Sequence, residues 1–181
     1  MNAKTIPLRK DIPDEHKWDL EPLFGSDEDW EKGIAEVESR IDLYAGYKGR
    51  LKDSLSVFKE AIDFHLSLTR KIERIYTYAQ LKSDEDKSNQ FYLGLHQRAV
   101  SLHTRASESA SFMTPEIQSI PDDQMNSFLA DDSIDEYKFF LEKIRRFKPH
   151  TRSETVEHIL AMSREMANAP TQVFGQLDNF D

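Results

Sequence analysis

One run constrains the chain more than any other: after Asp53 and Ser54, apolar residues recur at helical spacing to about Lys82. Leu55, Phe58, Ile62, Leu66, Ile72, Tyr76 and Ala79 follow a three-and-four repeat, which predicts an α-helix with one broad buried face. Phe64, Leu68, Ile75 and Tyr78 add a second apolar stripe. A helix with two stripes needs neighbours on two sides. The segment before it supplies one: Ser26 with Asp29 resembles an N-terminal cap, and Trp30, Ile34, Val37, Ile41 and Tyr44 follow to an end near Gly46 or Gly49. The segment after it supplies the other, from near Ser88 through Tyr92, Leu95, Ala99, Leu102, Ala106 and Met113 until Pro115 stops the run. Small residues, ASESAS over 106–111, let a neighbouring helix approach closely there.

The flanks differ from this centre. Pro7, Pro13, Pro22 and Gly25 punctuate residues 1–25 too often for a long helix and predict an extended arm, with Trp18, Leu20, Leu23 and Phe24 as apolar anchors. Beyond Pro115 the predicted helices shorten: one after Pro121 to about Ala130, one from Ser133 to Phe147, and one from Ser153 to Asn168. Ser133 with Glu136 reads as a capping box, and Ile134, Tyr137, Leu141 and Ile144 form the stripe behind it. Pro149 and Pro170 mark breaks, and TQVFGQLDNFD reads as the start of another element that stops without a closing cap, the pattern of a truncated chain. No fixed-period repeat supports a solenoid. The expectation is an all-α fold of antiparallel up-down helices with a long N-terminal arm, followed by shorter helices. Its divisions are an extended arm at 1–25, a long-helix bundle at 26–114 and a shorter-helix subdomain at 115–181.

Composition narrows the function. Six Gly and seven Pro among 181 residues leave little room for the turns of a β-sandwich. A formal net charge of -9 argues against a nucleic-acid partner, which would need a basic surface to displace counterions. With no cysteine there is no thiolate chemistry and no Cys-based zinc site. The N-terminal stretch lacks the apolar core of a secretory signal, and no run reaches transmembrane length, so the expected location is cytoplasmic, with no membrane partner.

In LKSDEDKSNQFY, Asp84, Asp86 and Ser88 have the spacing that opens a calcium loop, but Asn89 stands where the turn needs Gly and Leu95 where the loop needs a closing Glu. The stretch reads instead as a helix connection. None of His16, His65, His96, His103, His150 or His158 is followed by Glu, so the zincin helix is absent. His96 and His103 are two turns apart, about 10 Å along an axis, too far for one ion. Glu154 and His158 are one turn apart with no third ligand in view. No phosphate loop and no Gly-x-Ser-x-Gly turn is present. Arg145 and Arg146, in KIRRFKPH, complement a helix C-terminus before they hold any anion. Tyr76, Tyr78 and Tyr92 fit helix interfaces better than a peptide groove.

Four blocks in order, IPDEHKWDLEPLF, ERIYTYAQLKSDEDKSNQFY, SFMTPEI and YKFFLEKIRRFKPHTRSETVEHIL, resemble the N-terminal region of oligoendopeptidase F, and QVFGQLDNFD resembles the point where such enzymes continue toward their catalytic half. The resemblance implies a mostly helical, thimet-oligopeptidase-like zinc metallopeptidase that cuts short peptides enclosed in a deep channel. It also implies zinc on a His-Glu-x-x-His helix with a downstream Glu as third ligand. No residue of this chain matches those positions, so no catalytic, metal or cofactor-binding residue is assigned, zinc is expected only in the full-length parent, and the substrate-binding residues are left unknown. The expected role is a wall or roof of the channel, inactive alone, with short peptides as partners of the parent. The contrasting reading is a free-standing helical protein-interaction module. The encoded sequence after Asp181 separates the two.

Overall fold

Ser26 starts the first helix because its backbone is extended and its Oγ accepts the Asp29 N–H at 3.2 Å. Asp27, Glu28 and Asp29 then place three carboxylates in the first turn of α1 (Asp27–Ile41), against the positive end of the helix dipole. Ser54 repeats the device for α2 (Leu55–Glu85), accepting from the Val57 N–H at 3.2 Å. Asn89 does so for α3 (Gln90–Ala110), its Oδ1 accepting from Phe91 at 3.0 Å and Tyr92 at 3.3 Å. The computed structural model describes residues 11–87 and 89–150 together with Ala167, Pro170, Val173 and Phe174. Among these the elements are α-helices and 3-10 turns, with no strand.

Cross-helix contacts give the topology. Trp30 and Tyr44 of the first helical segment meet Ile75 and His65 of α2, so their order reverses and the pair is antiparallel. Lys82 reaches the Tyr92 ring while Tyr76 meets His96 and His103, so α2 and α3 are antiparallel as well. Glu31 pairs with Arg98 and Glu38 with Arg105, the same separation twice, so α1 and α3 run parallel. The result is the expected all-α, up-down-up arrangement. Both stripes of α2 are used: Phe58, Ile62, Ile72 and Ala79 are buried, and so are Phe64, Leu68, Ile75 and Tyr78. Leu66 and Tyr76 are only half-buried.

The stop signal at Pro115 acts differently from its sequence reading. The third helix ends at Ala110, and Pro115 lies in the first turn of α4 (Met113–Ser119), where a helix has no use for the missing N–H. Then comes α5 (Asp122–Leu129), whose Phe128 ring sits 5.2 Å from that of Phe58. The Glu116 carboxylate accepts from the backbone of Gly49 and of Leu51, each at 2.8 Å, and so fixes the α1–α2 connection. Gly49 supplies the positive φ of 81° that this turn requires.

The chain divides into two compact units, residues 1–134 and 135–181. Both α4 and α5 fall in the first unit with the long helices. The helix expected from Ser133 to Phe147 is a 3-10 turn, Asp132–Tyr137, followed by α6 (Lys138–Phe147). In place of a Ser133–Glu136 box, Asp131 Oδ1 accepts the Ser133 N–H at 2.9 Å. A carboxylate two residues back closes this tighter turn, which leaves the box without a helix to cap. In the second unit Leu141 is buried and Lys138 pairs with Asp135 at 2.5 Å. The predicted helix over 153–168 lies outside the described residues apart from Ala167, and the segment after Pro170 lies outside them apart from Val173 and Phe174.

Candidate functional site

Described residues of the N-terminal arm build a concave surface against α1 and α2. Leu23 and Phe24 both donate their N–H to the Leu20 carbonyl, at 3.0 and 3.1 Å, closing a turn that aims Phe24 at the helices. Gly33, in the middle of α1, makes room for it: a Cβ there would lie 3.0 and 3.2 Å from two carbons of the Phe24 ring. The ring stands edge-on to Tyr78, centroids 5.5 Å apart, and Arg74 lies 5.7 Å from its centre. Arg74 also donates from Nη2 to the carbonyls of Pro22 at 2.9 Å and Leu23 at 2.7 Å. Of the expected anchors, Leu20 is buried and Leu23 and Phe24 are half-buried, whereas Trp18 is 54% exposed.

A cleft opens on each side of Phe24. One, of about 490 Å³, is lined by Glu21, Lys32, Glu36, Lys71 and Arg74 among others. The second, of about 300 Å³, is lined by Trp18, Glu21, Tyr78, Lys82 and Glu85 among others. Two ion pairs lie in the first: Lys32 pairs with Asp29 at 2.7 Å, and Lys71 pairs with Glu36. The hydrogen bond from Lys71 holds the Glu36 carboxyl below the usual carboxylate range. Such a cleft offers donors and acceptors to a polar chain and assembles no nucleophile–base pair.

Deeper polar groups tie the three long helices together. Asp27 accepts from the Tyr78 hydroxyl at 2.8 Å and the Tyr92 hydroxyl at 3.3 Å, and Lys82 lies over both rings. Burial and then the Asp27 carboxylate push both phenols above their ordinary range. Nearer the other end, the Tyr44 hydroxyl lies 2.8 Å from His65 Nδ1. Burial lowers the pKa of His65 and raises that of Tyr44 to about 12.

The residues singled out in the sequence disperse accordingly. His96 and His103 flank Tyr76, 5.4 and 6.3 Å from its ring centre, and the three tyrosines fill helix interfaces. Asp84, in the last turn of α2, pairs with Lys87 of the connection to α3, while Ser88 is outside the described residues. His16 stands on the surface beside Glu15, 3.7 Å away. Arg145 and Arg146 occupy the last turn of α6 and His150 the 3-10 turn after it. Glu154 and His158 are outside the described residues. Among the described residues no three His, Cys, Asp or Glu side chains are grouped to hold a metal ion, and no helix is long and apolar enough to cross a membrane. Sequence reasoning missed Gly33, Arg74 and Glu116. A glycine inside an amphipathic helix was a signal for the first; nothing local marks the other two.

A family model described as Oligopeptidase F matches residues 116–181. The chain is 34% identical over 180 residues to oligopeptidase PepF of Bacillus subtilis, covering 99% of this chain and 27% of that protein. It is 34% identical over 174 residues to group B oligopeptidase PepB of Streptococcus agalactiae, covering 96% and 29%. Among solved structures, oligoendopeptidase-F from Enterococcus faecium superposes with a TM-score of 0.73 at 32% identity, covering 86% of this chain and 31% of the other. A putative peptidase from Chlamydophila abortus, at 24% identity, shares the fold with a TM-score of 0.76, covering 97% and 30%. The fold and the matches define a class, the helical N-terminal regions of peptidases. More particularly, the chain is homologous over nearly its whole length to the N-terminal region of oligoendopeptidase F. It spans only 27% to 31% of these relatives.

Proposed function

We propose that these residues are the N-terminal helical part of a zinc-dependent endopeptidase that hydrolyses short oligopeptides in the cytoplasm, and that they form and restrict part of its substrate channel. The observation that carries this reading is the alignment of 180 residues with an oligopeptidase of which they make up only 27%. Chemistry then belongs to the remainder of the parent and shape to this part. In this reading residues 26–114 act as a rigid wall, the N-terminal arm crosses it, and residues 115–181 lead toward the catalytic domain.

Zinc does not fit the donors described here. His65 Nδ1 is engaged with Tyr44, and among the described residues no third carboxylate or imidazole joins any pair. With no His-Glu-x-x-His helix in the sequence, we assign the metal and the water it activates to the rest of the parent. What the helices contribute is steric: a narrow entrance between packed helices admits an unfolded peptide and rejects a folded protein.

The test uses the full-length parent and a quenched fluorescent peptide. The parent is expected to cleave short peptides, to stop on addition of a zinc chelator, and to lose activity or its discrimination against folded proteins when residues 1–181 are deleted. These residues alone are expected to cleave nothing. Turnover by the metal-free fragment, or a deletion that leaves both activity and discrimination unchanged, would overturn the proposal.

A further inference from the structure

The described part of the arm buries little of itself against the helices. Of its described residues, 11–25, only Leu20 is buried, whereas the helices beneath bury Trp30, Ile34 and Ile75. Its ties include the Phe24 ring, which lies over Gly33, edge-on to Tyr78 and beneath Arg74, and the two hydrogen bonds from Arg74, whose side chain reaches main-chain carbonyls from the surface. We propose that residues 18–25 are a releasable strap across α1 and α2. The strap opens as a unit while the long helices stay folded, and its opening joins the two clefts that Phe24 now separates, since Glu21, Phe24 and Gly25 line both. A segment with few buried contacts and a hydrogen-bond set of its own is the kind that opens below the free energy of global unfolding. The strap belongs to this chain's own helices and stands or falls apart from the peptidase reading.

Gly33 gives the proposal a test with opposing signs. Gly33→Ala raises the helix propensity of α1, yet its new Cβ crowds the Phe24 ring from 3.0 Å. A local latch therefore loosens while the helix beneath it firms. Hydrogen–deuterium exchange of the 181-residue chain, read by mass spectrometry, reports the strap through the Leu23 and Phe24 amides and the helix through Val37. In the unsubstituted chain the strap amides are expected to exchange well ahead of Val37. Gly33→Ala and, separately, Arg74→Gln should each speed them by about tenfold, as loss of a charged hydrogen bond or of a comparable contact does. Val37 should be unchanged or slower in Gly33→Ala.

A second readout follows the clefts. The chain has no cysteine, so Ile75→Cys carries a unique thiol beneath Phe24, and it should react with a thiol reagent at the rate at which the strap opens. The proposal is overturned if Leu23 and Phe24 exchange no faster than Val37, if neither substitution accelerates them, or if the thiol reacts only on global unfolding.

Discussion

Trp30 shows how much a single residue can hold at the centre of this bundle. It is fully buried, and its indole N–H donates to the Ile75 carbonyl at 2.9 Å, joining α1 to α2 by packing and polarity together. Trp30→Phe removes the hydrogen bond and leaves part of the volume empty, a loss expected at about 1–3 kcal/mol. Urea denaturation should show a lowered midpoint with an unchanged slope. His65 makes a different prediction. Burial depresses its folded-state pKa below the unfolded value, so between the two values the unfolded chain binds the extra proton. Its contribution to stability is fully present above about pH 6.5 and is lost as the pH falls through the folded pKa. Unfolding midpoints should decline over that window, and the decline should shrink in His65→Gln. The spacing of apolar residues made Trp30 legible as core, but it said nothing of the carbonyl that satisfies the indole, because that partner lies 45 residues away.

At the scale of elements, periodicity and capping chemistry are local, and they mark the starts of all three long helices. Ser26, Ser54 and Asn89 cap by hydrogen bonds to amides two or three residues on, which sequence alone can place. Helix ends were less legible. The third helix stops short of Pro115, and the turn at Asp132–Tyr137 replaces an expected first turn of helix, since tertiary contacts decide where a weakly specified end gives way. Exposed charges bridge α1 and α3, with Arg98 bonded to Glu31 at 2.5 and 2.7 Å and lying 5.2 Å over Trp30. The Arg98 side chain is 51% exposed, so solvent screening keeps its contribution small. Arg98→Ala is expected to cost no more than about 1 kcal/mol, and a thermal or urea melt in ~1 M salt should shrink the difference further. The packing of α3 in the bundle should survive, because its buried face, with Ala99, Leu102 and Ala106, is untouched.

For the whole molecule, sequence by itself determined the helical class, the three long elements and their apolar faces, and, through ordered blocks, the resemblance to oligoendopeptidase F that the comparisons bear out. These were legible because helix period, capping and family blocks are written in neighbouring residues. The concave surface was not. The Phe24 notch combines an arm residue, a glycine of α1 and an arginine of α2, and the Glu116 clamp reaches back 65 and 67 residues. Antiparallel packing is what brings such groups together, and a period along the chain identifies a buried face without saying what will cover it. So the sequence determined which surfaces must be buried, while the tertiary structure decided which partners bury them and where the clefts between them remain open.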